Sequence, residues 1–334
     1  MSQVICVRPA WACGAIHGEP LRLIAKLPSA SAGMRELAAR NGLYRNEALW
    51  YQELAPSAGI PVPKVYASAG SGPPEDFFIL MEDMWPSTPG GARPAFDLVE
   101  RGVDVLAGFH AKWWQKDAVL RHPWLPGVDL ARDERWVVEN EADLSAAANE
   151  NRMRYGDVYH DYVFQSAQAT AKAFRQIRER TQSRPRTLLH GDFTTRQFFV
   201  PSSEGGRFAV GDWQTVTVGV GAEDLGRHLS IQLDTETRRT NERRLAERYH
   251  GGLLARGVRD YSLSDLWEDF RWSLWRTIWV QTRAFAAVSD AQIARLRARA
   301  AAANEPNPQA TNVARLAACL QDHEYLSLFA STAS

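Results

Sequence analysis

The sequence predicts an α+β protein, strand-rich over about its first 86 residues and mainly helical beyond. Three observations carry this. Extended, proline-punctuated apolar runs cluster early, in IPVPKVYASAG and PPEDFFILMEDM. A Pro/Gly-rich stretch, WPSTPGGARP, then reads as a linker or lobe crossing. From Phe96 the apolar positions switch to helical spacing, with Val99, Val103, Leu106, Phe109 and Trp113 on one face.

Taken in order, VICVRP is β-like, and LRLIAKLP alternates Leu21, Leu23 and Ala25 with Arg22, Ile24 and Lys26 as a second strand. Between them, Gly14 to Gly18 surround a polar turn. The segment from Met34 to Ala55 is rich in helix formers and is broken by Gly42. Leu43, Glu47, Trp50, Tyr51 and Leu54 recur at spacings of three and four, so Glu47 lies on or beside an apolar face, with Glu53 off it. Beyond the helix at Phe96, in which His110 is read as a packed residue, HPWLPGVDLARDERW is turn-rich. One long helix is expected over much of Tyr159 to Thr181. The region from RRTNERRL to LWRTIW reads as helix, turn, helix, with Ser264 as the second start. AAANEPNPQATN is a loop before a short final helix.

The stretch with most chemistry is Thr187 to Gln214. Two apolar runs, Thr187–Leu189 and Phe198–Val200, flank His190-Gly191-Asp192; after a turn, Phe208-Ala209-Val210 leads to Asp212. Short strands bounded by Ser, Gly and Pro read as a β-hairpin. It sets Asp192 and Asp212 beside rigid strands, where one carboxylate can serve as a base and the other as a metal ligand. Asp224, before an apolar helix start, reads as a cap or a brace for the hairpin.

Composition bounds the partners. The 39 basic and 39 acidic side chains cancel, so no overall basic field draws in nucleic acid or an anionic membrane. No run approaches the roughly 18 apolar residues of a membrane span, and the first residues lack the plan of a signal peptide. Cys6, Cys13 and Cys319 have no metal-like spacing and fit free thiols in a reducing cytoplasm.

The order H-x-D, an amide residue five positions after the Asp, then a hairpin and D-W-Q resembles the catalytic hairpin of the aminoglycoside/choline kinase-like phosphotransferases. LAGFHAKWW, the Tyr249-His250 segment and LWEDFRW resemble their ecdysteroid-kinase-like branch. The resemblance implies a two-lobed protein-kinase-like fold, with an N-lobe at residues 1–86, a hinge at 81–86 and a helical C-lobe at 87–334 that carries the hairpin 187–214. It implies an ATP- and Mg²⁺-dependent kinase acting on the hydroxyl of a small molecule. Asp192 would be the catalytic Asp, with His190 bracing its loop. Asp212 would hold Mg²⁺ with Gln197, which stands where the family has Asn. Lys26, paired with Glu47, would grip nucleotide phosphate, and the adenine would lie on the hinge at Glu82, Asp83 and Met84. Only 25 residues precede Lys26 and none form G-x-G-x-x-G, so either the small lobe is abbreviated or the sequence lacks its start, Gly14 to Gly18 being the substitute turn. With Gln197, this leaves a non-catalytic, pseudokinase-like binding protein as the alternative. A hydrolase built on His190 and Asp192 is disfavoured because no G-x-S-x-G elbow accompanies them. Trp113, Trp114, Trp124 and Trp136 point to an apolar or polycyclic alcohol as acceptor.

Overall fold

The computed structural model describes residues 2–10, 22–91, 94–128, 134–291, 293–295, 298 and 308–332. The polar turn at Gly14 to Gly18 and most of the loop in AAANEPNPQATN lie outside these, as does the side chain of Trp136. The chain divides into two compact units, one made of Met1–Ala92 with Thr195–Val216 and the other of Arg93–Thr194 with Thr217–Ser334.

The first unit is built on an antiparallel sheet of four strands, β1 (Ser2–Val7), β2 (Leu23–Pro28), β3 (Val65–Ala69) and β4 (Phe78–Glu82), in the order β1-β2-β4-β3. Register sets Lys26 opposite Val4 on one side and Ile79 on the other. Two helices follow β2: α1 (Ala32–Arg40) and α2 (Leu43–Leu49), the latter running into a π-helical turn at Trp50–Leu54. The break between them falls at Gly42, whose φ of 65° is left-handed and suits glycine. α2 buries Leu43, Tyr44 and Ala48 together with two polar residues, Asn46 and Glu47, the latter being the carboxylate the spacing placed there. A second small sheet orders β5 (Ser87–Pro89), β7 (Phe198–Pro201) and β8 (Ala209–Val210) side by side, β7 and β8 forming a hairpin. Trp50 and Trp213 stack at 3.9 Å, locking α2 onto the turn that follows β8.

The second unit is mostly helical. The strand β6 (Thr187–Leu189) belongs here and pairs with β9 (Thr217–Gly219), not with β7. The sequence-based hairpin is therefore two structures: β7 with β8, and β6 with a strand the sequence reading did not mark. Gly127 lets the 122–128 turn lie against β9: its φ is 78°, and a Cβ there would stand 2.1 Å from the Val218 carbonyl oxygen. Besides this pair the unit comprises α3 (Phe96–Trp113), the short α4 (Asp117–Leu120), α5 (Glu134–Tyr155), α6 (Asp161–Lys172), α7 (Phe174–Ser183), α8 (Ala222–Gln232), α9 (Thr235–Ala255), α10 (Leu263–Ala286) and α11 (Pro308–Asp322), with α3 and α4 against β6. The apolar stripe read on α3 is fully inward: Val99, Val103, Leu106 and Phe109 are solvent-free and Trp113 nearly so. α8 is buried on every face, including Glu223, Asp224, Arg227 and His228.

Three expectations need correction. The single helix expected over Tyr159 to Thr181 is broken at Ala173, where Phe174 turns in to meet Trp275 at 5.4 Å. α10 starts from Ser262 instead of Ser264, because Asp265 closes a capping box on Ser262. The last helix begins at Pro308, inside the stretch expected to be loop, with proline at a first-turn position it tolerates. No described helix is long and apolar enough to cross a membrane.

Candidate active site

In the first unit, the site begins with a buried cation. Lys26 is 8% exposed on β2, where an unpaired ammonium would be costly. Its Nζ donates to both oxygens of Glu47 at 2.8 and 2.6 Å, and to Asp212 Oδ1 at 2.6 Å. Burial pulls the ammonium pKa down, the charges of Asp212 and Glu47 push it up, and the carboxylates win, so Lys26 lies above the ordinary lysine range. Burial pushes the Glu47 carboxyl up, with the Lys26 charge opposing it.

Asp212 is presented by an unusual backbone. Its φ of 63° and ψ of 56° are left-handed, a conformation that costs a non-glycine residue about 1 kcal/mol or more. Gly211 before it lies so close to Phe199 that a Cβ would be 3.0 Å from the ring. The Gly211 N–H donates to the Gln197 carbonyl at 2.9 Å, which ties the segments bearing Gln197 and Asp212 together. Gln214 Nε2 donates to Asp212 Oδ2 at 3.4 Å.

These side chains share a cavity of about 290 Å³, lined among others by Ile24, Met81 and Phe199 on its apolar side and by Lys26, Gln197 and Asp212 on its polar side. Tyr51 Oη and Gln214 Oε1 also belong to its wall, are buried, and have no hydrogen-bond partner among the described residues. Burial, then the charges of Glu47 and Asp212, hold the Tyr51 phenol well above its usual range. One cation, the two carboxylates of Glu47 and Asp212, the Gln197 amide and two unpartnered polar atoms suit a polar ligand with a hard cation, which takes oxygen donors. Nucleotide and Mg²⁺ therefore fit the residues present.

The three residues expected at a hinge stand apart from this cavity, whose wall reaches Met81 but not Glu82, Asp83 or Met84. Glu82 accepts from the Lys64 N–H and from Arg207. Asp83 Oδ2 pairs with Arg22 at 2.8 Å, and the Met84 carbonyl accepts from Ser87 N–H at 2.7 Å.

In the second unit, β6 ends on His190-Gly191-Asp192. Gly191 turns the chain at φ 84°. Asp224, in the first turn of α8, accepts the N–H groups of His190 at 2.7 Å and Gly191 at 2.9 Å. Asp224 is thus the brace the sequence pointed to. Burial alone would raise its pKa, but His110 and the backbone N–H of His190 overcome this and hold it below the usual value. His110 is a packed residue: solvent-free, its Nδ1 is 2.7 Å from Tyr249 Oη and its Nε2 is 3.4 Å from Asp224. The Asp192 N–H donates to His190 Nδ1 at 3.3 Å, so the solvent-free His190 ring supports the same turn.

The side chain of Asp192 rests on a residue the sequence reading did not nominate. Arg227, 1% exposed on α8, aims Nε at 2.9 Å and Nη2 at 2.8 Å to Asp192 Oδ1. Its signal in the sequence was slight: an arginine three positions after Asp224, hence on the same side of one helix. Tyr51 and Gln214 were likewise missed as wall residues.

The profile described as "APH: Phosphotransferase enzyme family" matches residues 16–267. The chain belongs to the phosphotransferase enzyme family. No curated protein matches this phosphotransferase in sequence. Among solved structures it is similar to choline kinase LicA from Streptococcus pneumoniae, at 13% identity and a TM-score of 0.50 over 89% of this chain and 92% of that one. LicA in complex with AMP gives 14% identity and a TM-score of 0.51, covering 92% and 85%. An aminoglycoside-3'-phosphotransferase of type VIII matches at 18% identity with a TM-score of 0.46, covering 77% and 85%. The expected fold, protein-kinase-like α+β with a small sheet-bearing part and a mainly helical remainder, is the one this phosphotransferase has.

Proposed function

We propose that this phosphotransferase moves the γ-phosphoryl group of ATP, with Mg²⁺, to a hydroxyl of a small molecule. The observation that carries this reading is Lys26, held between Glu47 and Asp212 in the wall of a 290 Å³ cavity. Phosphoryl transfer depends on positioning and charge more than on covalent help from the protein, and these residues supply both. Bound ATP with Mg²⁺ supplies the activated phosphoryl group and neutralises charge developing on its oxygens. Lys26 grips phosphate oxygen, and Glu47 keeps the ammonium aimed. Asp212 and the Gln197 amide oxygen hold the metal; Gln197 is one methylene longer than the Asn the family places there. Asp192 accepts or orients the acceptor's hydroxyl proton, with Arg227 fixing its carboxylate. The N-lobe at residues 1–86, a hinge at 81–86 with the adenine on the backbone of Glu82, Asp83 and Met84, and membership of the ecdysteroid-kinase-like branch belong to the same proposal.

For the acceptor, an apolar or polycyclic alcohol remains our reading, but the tryptophans lend it little. Trp113, Trp114 and Trp124 are each under a tenth exposed. Trp114 donates to Asp260 at 3.2 Å, as a core residue does. The free thiols Cys6 and Cys319 support a reducing compartment such as the cytoplasm. A second reading, binding without transfer, is favoured by Gln197.

Calorimetry with ATP, with and without Mg²⁺, followed by a transfer assay on hydroxylated acceptors, separates the two. Asp212→Asn is expected to remove the Mg²⁺-dependent part of binding. Asp192→Ala is expected to lower transfer by roughly 10²- to 10⁴-fold while sparing nucleotide affinity. Mg²⁺-dependent binding with no product from any acceptor supports the second reading. Undiminished turnover in Asp192→Ala sinks the first.

A further inference from the structure

Far along the chain from these residues, within the second unit, α9 and the end of α11 bring three metal-binding side chains together. Cys319 and His323 are four residues apart, which stacks them on one side of the last helical turn, and the His323 N–H closes that turn on the Cys319 carbonyl at 3.1 Å. Glu242 faces them from α9. One ligand atom from each of the three lies within 4.8 Å of the others, and this is the one such group among the described residues. His323 Nε2 is 2.8 Å from Glu242 Oε2.

The setting is ordered. The His323 ring lies parallel to Trp267 at 6.2 Å and against Phe270 at 5.0 Å. Arg271 Nε donates to the His323 carbonyl at 2.9 Å. Arg238 Nη1 donates to Glu242 Oε1 at 3.0 Å, which orients the carboxylate and leaves Oε2 toward the histidine. Arg238 is the unfavourable neighbour for a cation, but it also pairs with Asp322, and Arg239 bonds to Asp322 and to Glu236. Those two arginines and two acids cancel, so Glu242 and a Cys319 thiolate match a divalent ion. Cys319 is solvent-free, while the His323 side chain is 12% exposed and leaves an approach from water.

We propose that Glu242, Cys319 and His323 form a site for a zinc-class ion that clips α11 to α9. Thiolate, imidazole and carboxylate together select a borderline-soft metal of tetrahedral habit, with water as the fourth ligand. Metal–ligand lengths of about 2.0–2.3 Å place tetrahedral ligands roughly 3.5 Å apart. The His–Glu pair therefore opens slightly and the thiol closes in. Metal binding displaces the thiol proton to solvent, and the proton that His323 Nε2 shares with Glu242 Oε2 moves to Nδ1 or to solvent, freeing that nitrogen and oxygen for the ion. The competing description is a histidine–glutamate hydrogen bond beside an inert buried thiol.

The full chain, stripped with chelator and kept reduced with a thiol-free reductant, is titrated with Co²⁺ and then Zn²⁺. The expected result is one equivalent of Co²⁺ with thiolate-to-cobalt charge-transfer absorption, displaced by Zn²⁺, together with a higher thermal midpoint in the presence of metal. Cys319→Ala should abolish the band, His323→Gln should weaken binding at least 10-fold, and Asp212→Asn should leave both untouched. The wild-type titration is decisive even where a variant folds poorly. Absence of the band from folded wild-type protein, or its persistence in Cys319→Ala, overturns the assignment.

Discussion

Lys26 and Asp192 are held by different kinds of partner. Lys26 sits between two acids, so losing one leaves the other; Asp192 Oδ1 takes a forked guanidinium, reached by both Nε and Nη2 of Arg227. Lysine cannot reproduce that fork. Arg227→Lys should therefore lower turnover about 100-fold through misplacement of the carboxylate, with nucleotide affinity unchanged. Steady-state kinetics read the split between kcat and the KM for ATP; equal loss in both would mean that Arg227 acts on the fold. The sequence displayed the acids and the lysine because each sits beside a strand or on a periodic helix face. It hid Arg227 because the contact spans 35 positions and nothing local distinguishes a buried arginine from a solvated one. Tyr51 was legible as an apolar-face residue of its helix, yet its unpartnered hydroxyl is a property of the cavity alone.

Among the elements, local signals were readable wherever the determining residues were close in sequence. Gly42 broke the first helical segment as expected, since its left-handed φ is a local requirement. The Ser262 cap was also there to be read: Asp265 stands three residues on, where Ser264 has Trp267. Ser262 Oγ accepts the Asp265 N–H at 3.0 Å, and Asp265 Oδ2 accepts the Ser262 N–H at 3.1 Å. Ser262→Ala should lower stability by about 1 kcal/mol, measured as a shift in the urea midpoint, while Ser264→Ala should change little. Strand partners were not readable. Whether Thr187–Leu189 joins β7 or β9 is decided by packing between distant segments, and neither strand's composition names its partner. The break at Ala173 has the same origin, since no glycine or proline announces it.

Across the whole molecule, the family and its fold could be read from one short pattern, His190 to Gln214, because those residues must meet several requirements at once. The metal-binding cluster of α9 and α11 could not, because its members come from two helices almost eighty residues apart in sequence. Global stability should carry the mark of α8. Burial pushes the His228 imidazole down to about 4 from 6.5, and its Nε2 lies 2.9 Å from the Val99 carbonyl. The unfolded chain thus takes up a proton that the folded one refuses. The stability this neutral ring contributes is intact above pH 6.5 and is lost as pH falls from 6.5 toward 4, by roughly 3 kcal/mol in all. Asp224, whose pKa is lowered by folding, adds a later loss as pH falls further through its folded value. Urea unfolding across this range should show both stages. His228→Gln should flatten the first, and an unchanged slope would locate the titration elsewhere.

The left-handed backbone at Asp212 has a consequence for how such a protein changes over generations. Asparagine and glycine accept that conformation as readily as aspartate or more so, and each is one nucleotide away from an aspartate codon. Two of the substitutions within single-nucleotide reach at this position are thus ones its backbone tolerates well, while Glu47 still holds Lys26. Descendants that have lost transfer but kept their shape are accordingly a short mutational step away.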